Sequence, residues 1–348
     1  MQGATSFMRA VIVLLVLLCL TSAVQAVIIY VPDDYAKIQW AINNASDGDT
    51  IIVRDGIYYE HLVINKSITL KSENGSANCI IDGNNSGCVI VIEADGVTIE
   101  GFTIRNGGKY GKGIKVLSNN NVIRNNTILN NFDGIYLTNS SNNTITNNNI
   151  ALNYYAGIES WYLSNTSIIN NIISNNHDGI RLRYSSNNII ANNIIASNND
   201  DGIDLWYSSN NKIYLNNFIG NDNNILLYKS TNIWNSTEKI TYIYNGVQYT
   251  NYLGNYWDNY QGSDADGDGI GDSPYRVELN NIDYYPLMQL WENYSILYIH
   301  LADSNDGQGA VIKPTPEVLW RISGFELIYA ILGLLAVAHI LRIRNRQN

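Results

Sequence analysis

The stretch Gly157-Ile158-Glu159-Ser160-Trp161-Tyr162-Leu163-Ser164-Asn165-Thr166-Ser167-Ile168-Ile169-Asn170-Asn171-Ile172-Ile173-Ser174-Asn175-Asn176-His177-Asp178 decides the fold. It holds three short runs in which apolar residues alternate with polar ones, a strand period rather than a helical one. Asn and Gly break the runs, and then the pattern starts again. Gly-Ile, once Asn-Ile, recurs at Gly113, Gly134, Gly157, Gly179, Gly202 and Asn224, at spacings of 21, 23, 22, 23 and 22. A fixed period of this length marks a solenoid whose units bury their apolar faces only by stacking.

Stacked in register, like falls on like. Ile114, Ile135, Ile158, Ile180, Ile203 and Ile225 form one column, and Ile128, Ile150, Ile173, Ile195 and Ile219 another. Both are expected to point inward. Asn125, Asn147, Asn170, Asn192 and Asn216 align at a turn. Asn tolerates left-handed backbone geometry, and its amide both donates and accepts, so a stack of them can bond along a ladder. The expected fold is all-β, a parallel β-helix of ~22-residue coils. The rule for parallel crossovers makes it right-handed, and each coil rises ~4.8 Å.

Composition agrees and excludes other classes. Of 348 residues 52 are Asn, and 32 of those lie between Gly113 and Asn224. The chain has 21 Lys+Arg against 31 Asp+Glu, a net charge of −10. That balance lacks the basic stripe a nucleic-acid binder needs to neutralise phosphates. With 45% hydrophobic residues it is not a disordered chain. Three Cys exclude a disulfide scaffold or a zinc module.

Five segments are expected. Residues 1–26 read as a secretory signal: Arg9, an apolar run from Val11 to Leu20, then Val24-Gln25-Ala26 for cleavage. Residues 27–250 form the β-helix. Within them Tyr35, Ile38 and Ile42 fall at helical spacing, and Asp33 or Asp34 would cap a short helix that lids the open end. Cys79 and Cys88 could pair in an exported protein or stay as thiols. Residues 251–300 are a Tyr- and Trp-rich segment with an acidic loop. Residues 301–322 are a linker. Residues 323–348 are a membrane anchor: an apolar span from Phe325 to Leu341, then Arg342, Arg344 and Arg346, which the positive-inside rule keeps cytoplasmic.

Two resemblances follow from these residues. Ser323-Gly324-Phe325-Glu326, the apolar span and the arginines resemble the archaeal Pro-Gly-Phe sorting tail, with Ser323 where that family has proline. This implies a membrane partner and an archaeosortase-like processing enzyme. Tyr30-Val31-Pro32-Asp33-Asp34-Tyr35, Gly48-Asp49-Thr50-Ile51, the Asn-rich units and Gly254-Asn255-Tyr256-Trp257-Asp258-Asn259-Tyr260 resemble NosD-like β-helix surface proteins of archaea. That resemblance covers roughly residues 28–290 and implies a pectin-lyase-like solenoid. Some relatives of such proteins act on polysaccharides, and a bacterial namesake assists copper-site assembly.

Three places could carry chemistry. The first is the outward face of the strand after each Gly-Ile. One column there is Lys115, Tyr136, Glu159, Arg181 and Asp204, a second is Leu117, Thr138, Trp161, Arg183 and Trp206, and Tyr162, Tyr184 and Tyr207 stand beside them. Tyr136, Glu159, Trp161, Arg181, Arg183, Asp204 and Trp206 are the candidate glycan contacts, since exposed aromatic clusters mark binding surfaces. The alternative is that these rings only pack a sheet's outer face. The second is the acidic column Asp133, Asp178 and Asp201, with His177 and Asp200 beside it. Asp178 and Asp201 fall on adjacent coils, near the separation of a retaining carboxylate pair. No catalytic residue is assigned; Asp178, Asp201 and His177 are the candidates, against ordinary Asp-Gly turn chemistry.

The third is Asp264, Asp266, Asp268, Ile270 and Asp272, with Gly269 between them. These reproduce most of an EF-hand loop, with Tyr275 at its last position, and calcium is the expected cofactor. Copper is not expected. Its preferred ligands reduce to His61, His177, His300 and Met288, far apart in sequence. Ten Asn-x-Ser/Thr sequons occur. Asn125 is expected to be hidden in a ladder, and Asn235 and Asn293 to be accessible. The expected role is an exported, membrane-tethered surface module, structural or polysaccharide-binding, with a polysaccharide-active enzyme or a copper-assembly factor as alternatives.

Overall fold

The computed structural model describes residues 26–300 and 311–312. The signal up to residue 25, the linker apart from residues 311–312, and the anchor lie outside them. Among the described residues no helix is long and apolar enough to cross a membrane. The described residues divide into two compact units, one of residues 26–211 plus 218–232, the other of 212–217 plus the described residues from 233.

The first unit is a parallel β-helix. One face stacks Ile28–Val31, Thr50–Val53, Thr69–Ser72, Thr98–Glu100, Val122–Arg124, Thr144–Thr146, Ser167–Ile169 and Ile189–Ala191. The second face stacks Leu62–Ile64, Ile90–Ile92, Ile114–Val116, Ile135–Ser141, Ala156–Ser164, Asp178–Arg183, Asp201–Trp206 and Asn223–Tyr228. A third face carries the remaining strands, among them Thr127–Leu129, Asn149–Ala151, Ile172–Ser174 and Ile194–Ala196. The registers that set the inner columns are Ile114 on Ile135, Ile135 on Ile158, Ile158 on Ile180 and Ile180 on Ile203. All five are fully buried, whereas Ile225, on the last strand of that face, is half-buried. In the other column the inward residue after Ile195 is Phe218, fully buried, and not Ile219, which is half-buried. The coil keeps its 23-residue step, and the isoleucine one place further on falls out of phase.

Each turn divides labour within its Asn pair, which corrects the single-column expectation. The first Asn takes the left-handed backbone: Asn125, Asn147, Asn170 and Asn192 have φ of 56–58°. The second turns its amide inward and is buried, as in Asn126, Asn148, Asn171 and Asn193. There the Oδ1 accepts the backbone N–H of the residue one coil earlier, Phe102 for Asn126 and an Asn thereafter, at 3.0 Å from Asn126 to Asn148, 3.0 Å from Asn148 to Asn171 and 2.9 Å from Asn171 to Asn193. Asn216 has the buried role, and Leu215 beside it takes the left-handed turn. Asn125 is half-buried, so its sequon is not hidden. Two further ladders run at the other turns, through Asn121, Asn143, Thr166, Asn188, Asn211 and Asn232, and through Asn131, Asn153, Asn176, Asn198 and Asn221. Backbone groups that a β-helix corner would orphan are satisfied this way.

The lid helix is Ile38–Asn44, with Ile38, Ala41 and Ile42 buried. It begins later than expected, and neither Asp33 nor Asp34 caps it. Lys37 holds the cap position without a side-chain bond, and the N–H groups of Ile38 and Gln39 donate to the Glu60 carboxylate at 3.0 Å each. A carboxylate from the next coil serves as well as a local one, because it meets the same unpaired donors and the same helix dipole. Cys79 and Cys88 are both free thiols.

The second unit is built on tyrosines. Ile240–Tyr244 and Val247–Asn251 form an antiparallel hairpin, closed by Asn245 and Gly246 at positive φ, as a two-residue turn requires. Tyr242, Tyr244, Leu253, Ile270, Leu287 and Tyr294 pack as its core.

Candidate functional site

The outward columns of the second face fall in the predicted register. Lys115, Tyr136, Glu159, Arg181 and Asp204 pair in succession, as do Thr138, Trp161, Arg183 and Trp206. A second line of side chains stands before the strands. Phe132 stacks on Tyr155 at 5.3 Å, and Tyr155 lies 6.0 Å from His177. After the strands, Tyr162, Tyr184 and Tyr207 form a ladder with centroids 5.3 and 5.2 Å apart and planes within 18° and 4°. A charged strip therefore runs between two lines of aromatic side chains, and this strip with its flanking rings is called the trough below.

The walls differ from the expectation in one respect. A stacked tyrosine presents its edge and hydroxyl outward, because its faces meet its neighbours. Trp206 and Tyr184 remain 41% and 44% exposed. The ladder stands on strained backbone: Tyr162, Tyr184 and Tyr207 have φ of 58°, 50° and 49°, where one coil earlier Asn139 sits at 48°. Tyrosine in the left-handed region costs on the order of 1 kcal/mol relative to Asn or Gly. Three in succession mark the position for what the ring supplies.

The floor is denser with charge than a surface strip should be. Arg183 forms a fork on Asp204, at 2.8 and 2.5 Å, with both residues more than nine-tenths buried. Arg181 bonds Asp178 at 2.8 Å, lies 3.5 Å from Asp204 and covers the Tyr155 ring at 4.3 Å. Lys112 pairs with fully buried Asp133. Trp161 Nε1 donates to Glu159 at 3.1 Å. Sequence reasoning placed these columns but missed their pairing, which depends on rotamers no periodicity reveals. It also missed Lys112, Phe132 and Tyr155, which sit in the irregular turn before Gly-Ile.

The acidic column is buried. Burial raises the pKa of Asp133, and burial with the charge on Asp133 raises that of Glu159. Asp201 is pushed up to about 6 by burial and then by Asp200, Asp178 and Asp204. A carboxyl whose folded value exceeds its unfolded one favours folding while protonated, and that contribution is lost as pH rises through the folded value. Asp201→Asn should therefore match the native chain in melting temperature near pH 4 and gain on it as pH rises toward 6. An unchanging difference across that range would show that Asp201 does not titrate there. Asp178 Oδ1 accepts the backbone N–H of Asp201 at 3.2 Å, so the pair does sit on adjacent coils.

His177 Nδ1 lies 3.5 Å from Asp178 and 4.0 Å from Asp200. The three form one of two groups among the described residues that could hold an ion. The group overlooks a 660 Å³ depression lined in part by Leu152, Tyr154, Tyr155 and His177. The other group is Asp264, Asp266 and Asp268, in the second unit. Asp264 accepts the N–H of Gly267 and Gly269, and Asp268 that of Ile270. Tyr242 hydroxyl donates to the Asp268 carbonyl at 2.9 Å, which ties the loop to the core. Asp272 instead closes the loop through Ala265 and Ser263. Ile270 and Asp272 are not in the three-residue group.

Comparison with known proteins gives a family model for the periplasmic copper-binding protein NosD, matching residues 42–262. A PGF-CTERM motif matches residues 324–342. A cell surface glycoprotein of Methanothermus fervidus is 48% identical over 101 residues, which is 28% of this chain and 16% of that protein. The chain thus matches well under a fifth of that relative's length. Among solved structures, the pectin methylesterase PemA from Erwinia chrysanthemi is 13% identical with a TM-score of 0.40, over 67% of this chain and 88% of that one. The pectate lyase Pel9A is 12% identical with a TM-score of 0.40, over 59% and 78%.

The copper named in that family description does not fit the donors present. Among the described residues the one ion-holding group that contains an imidazole pairs it with two carboxylates, one of them committed to Arg181. Copper prefers imidazole together with thiolate or thioether. Cys79 is fully buried, with its thiol pushed up to about 12 by burial.

Proposed function

Since the chain belongs to the NosD family, we propose that it is an exported β-helix module, held at the archaeal cell surface through its PGF-CTERM tail, that binds polysaccharide in the trough of its second face. An archaeosortase-like enzyme would process the tail. One observation supports the trough most: strained tyrosines in register beside exposed tryptophan, over a floor whose charged groups are held in place by one another. Fixed polar groups between aromatic walls suit an extended chain of hydroxyl-bearing rings. Retention of the full chain on a panel of neutral, anionic and amino polysaccharides tests this. Trp206→Ala combined with Tyr184→Ala should lower retention about tenfold or more, and equal retention would remove the trough from consideration.

Calcium is proposed for the Asp264–Asp268 loop, whose oxygens are gathered within 4.8 Å, as hard-cation ligands should be. Added calcium at about a hundred times its dissociation constant should stabilise the second unit by about 2.7 kcal/mol. A melting temperature unmoved by calcium or chelator would exclude the site.

A further inference from the structure

The middle of the trough holds more acid than its cations balance. Its floor and rim carry Asp133, Glu159, Asp178, Asp201 and Asp204, and the permanently charged partners there are Lys112, Arg181 and Arg183, while His177 beside Asp178 counts as a cation only when protonated. Five acids against three cations leave two, and the hydrogen bonds identify them. Glu159, 8% exposed, receives one bond, from Trp161 to Oε1. Asp201, 3% exposed, receives one side-chain bond, at 3.4 Å from Asn223 to Oδ1. The second oxygen of each accepts nothing from the described residues, and neither is sealed from outside. Lys115, without an ion pair among the described residues, and Lys229, which lies over Tyr207 and Tyr228, stand on the outermost coils of the strip. They leave its middle unbalanced.

A nine-tenths-buried carboxylate without a full set of donors is costly, and the cost falls when a cation or strong donor reaches it. An anionic sugar would meet the opposite field, because every guanidinium here is already taken by a carboxylate. Glu159 and Asp201 lie two coils apart, about 10 Å along the trough, and three residues apart across it, so they can meet different residues of an extended glycan.

We infer that the trough is built for a glycan bearing free amino groups and selects against polyuronates. This rests on the glycan-binding reading above.

The test uses the full chain with three probes of equal length: glucosamine oligosaccharides, their fully N-acetylated counterparts and oligogalacturonates. The glucosamine form should bind about tenfold tighter than the acetylated form, a difference of ~1.4 kcal/mol, with oligogalacturonate weakest. Glu159→Gln with Asp201→Asn should bring the glucosamine preference close to one. The preference in the native chain should also shrink as salt rises, a readout that needs no variant. Oligogalacturonate binding best, or a preference indifferent to both salt and the double variant, would overturn the amino-sugar assignment and leave the trough a glycan site. Failure of every glycan to bind would overturn both.

Discussion

Asn171→Ala should lower the melting temperature by roughly 10 °C, while Asn170→Ala, one residue away, lowers it far less. The Asn171 amide donates to Asn193 at 3.1 Å and to the carbonyls of Ile145 and Ile169 at 2.9 and 3.0 Å. Its oxygen accepts both the backbone N–H and the amide of Asn148. Alanine removes all of these at a site 1% exposed. Each buried group left without a partner costs about 1–3 kcal/mol. Some will find water, so a total of roughly 3–5 kcal/mol is expected, and in a unit of the β-helix's size each kcal/mol moves the midpoint by about 2–4 °C. Asn170, at φ 57°, is held for backbone geometry alone. Alanine there costs about 1 kcal/mol, and Asn170→Gly should be close to neutral. Thermal melts of the three variants decide it, and an equal loss at both positions would contradict the division of labour.

Gly179→Ala should be at least as damaging, and for a different reason. The backbone of Gly179 is not left-handed; its constraint is contact. A Cβ there would lie 2.4 Å from the carbonyl oxygen of Gly202 and 3.0 Å from both Asn198 Nδ2 and Ile195 Cγ2. The same approach recurs at Gly113, Gly134, Gly157 and Gly202, each against the next coil's backbone, so relief at one coil transfers strain to the next. We expect a loss of about 3 kcal/mol or more and poor recovery of soluble chain. Gly75→Ala is the contrast. Its φ is +88°, but nothing lies within 4 Å of the new atom, so the cost is backbone strain of about 1 kcal/mol. Chemical unfolding of the two variants should show a clear gap, and similar midpoints would mean that coils do not approach as closely as the Gly column requires.

These two residues also show what was legible in the sequence. Period and alternation placed the strands, because a coil with one inward column cannot slip by one residue without exposing it. They did not distinguish the two members of an Asn pair. Composition is identical at Asn170 and Asn171, and only the phase of the inward column tells which amide is buried. Ile219 was misplaced because its neighbour Phe218 is as apolar, and the local pattern Asn-Asn-Phe-Ile fits two phases. Glu60 as the helix cap, Lys112 on Asp133 and Arg183 on Asp204 had no local signal, since each partner lies 21 or 22 residues away. The outer columns are legible as columns in the period, whereas the bonding among their charges is not. The structure shows most of them bonded to one another, which leaves Glu159 and Asp201 as the open groups.

Hydroxyl-radical footprinting of the full chain, with and without a retained polysaccharide, tests the central claim most directly. It reports the exposure of each Tyr and Trp separately. Binding in the trough predicts protection of Trp206, Tyr184 and Tyr162, with Trp40 and Tyr59, exposed elsewhere on the same unit, unchanged. Protection of Trp40 and Tyr59 without change at Tyr184 and Trp206 would place the glycan on another surface and contradict the assignment.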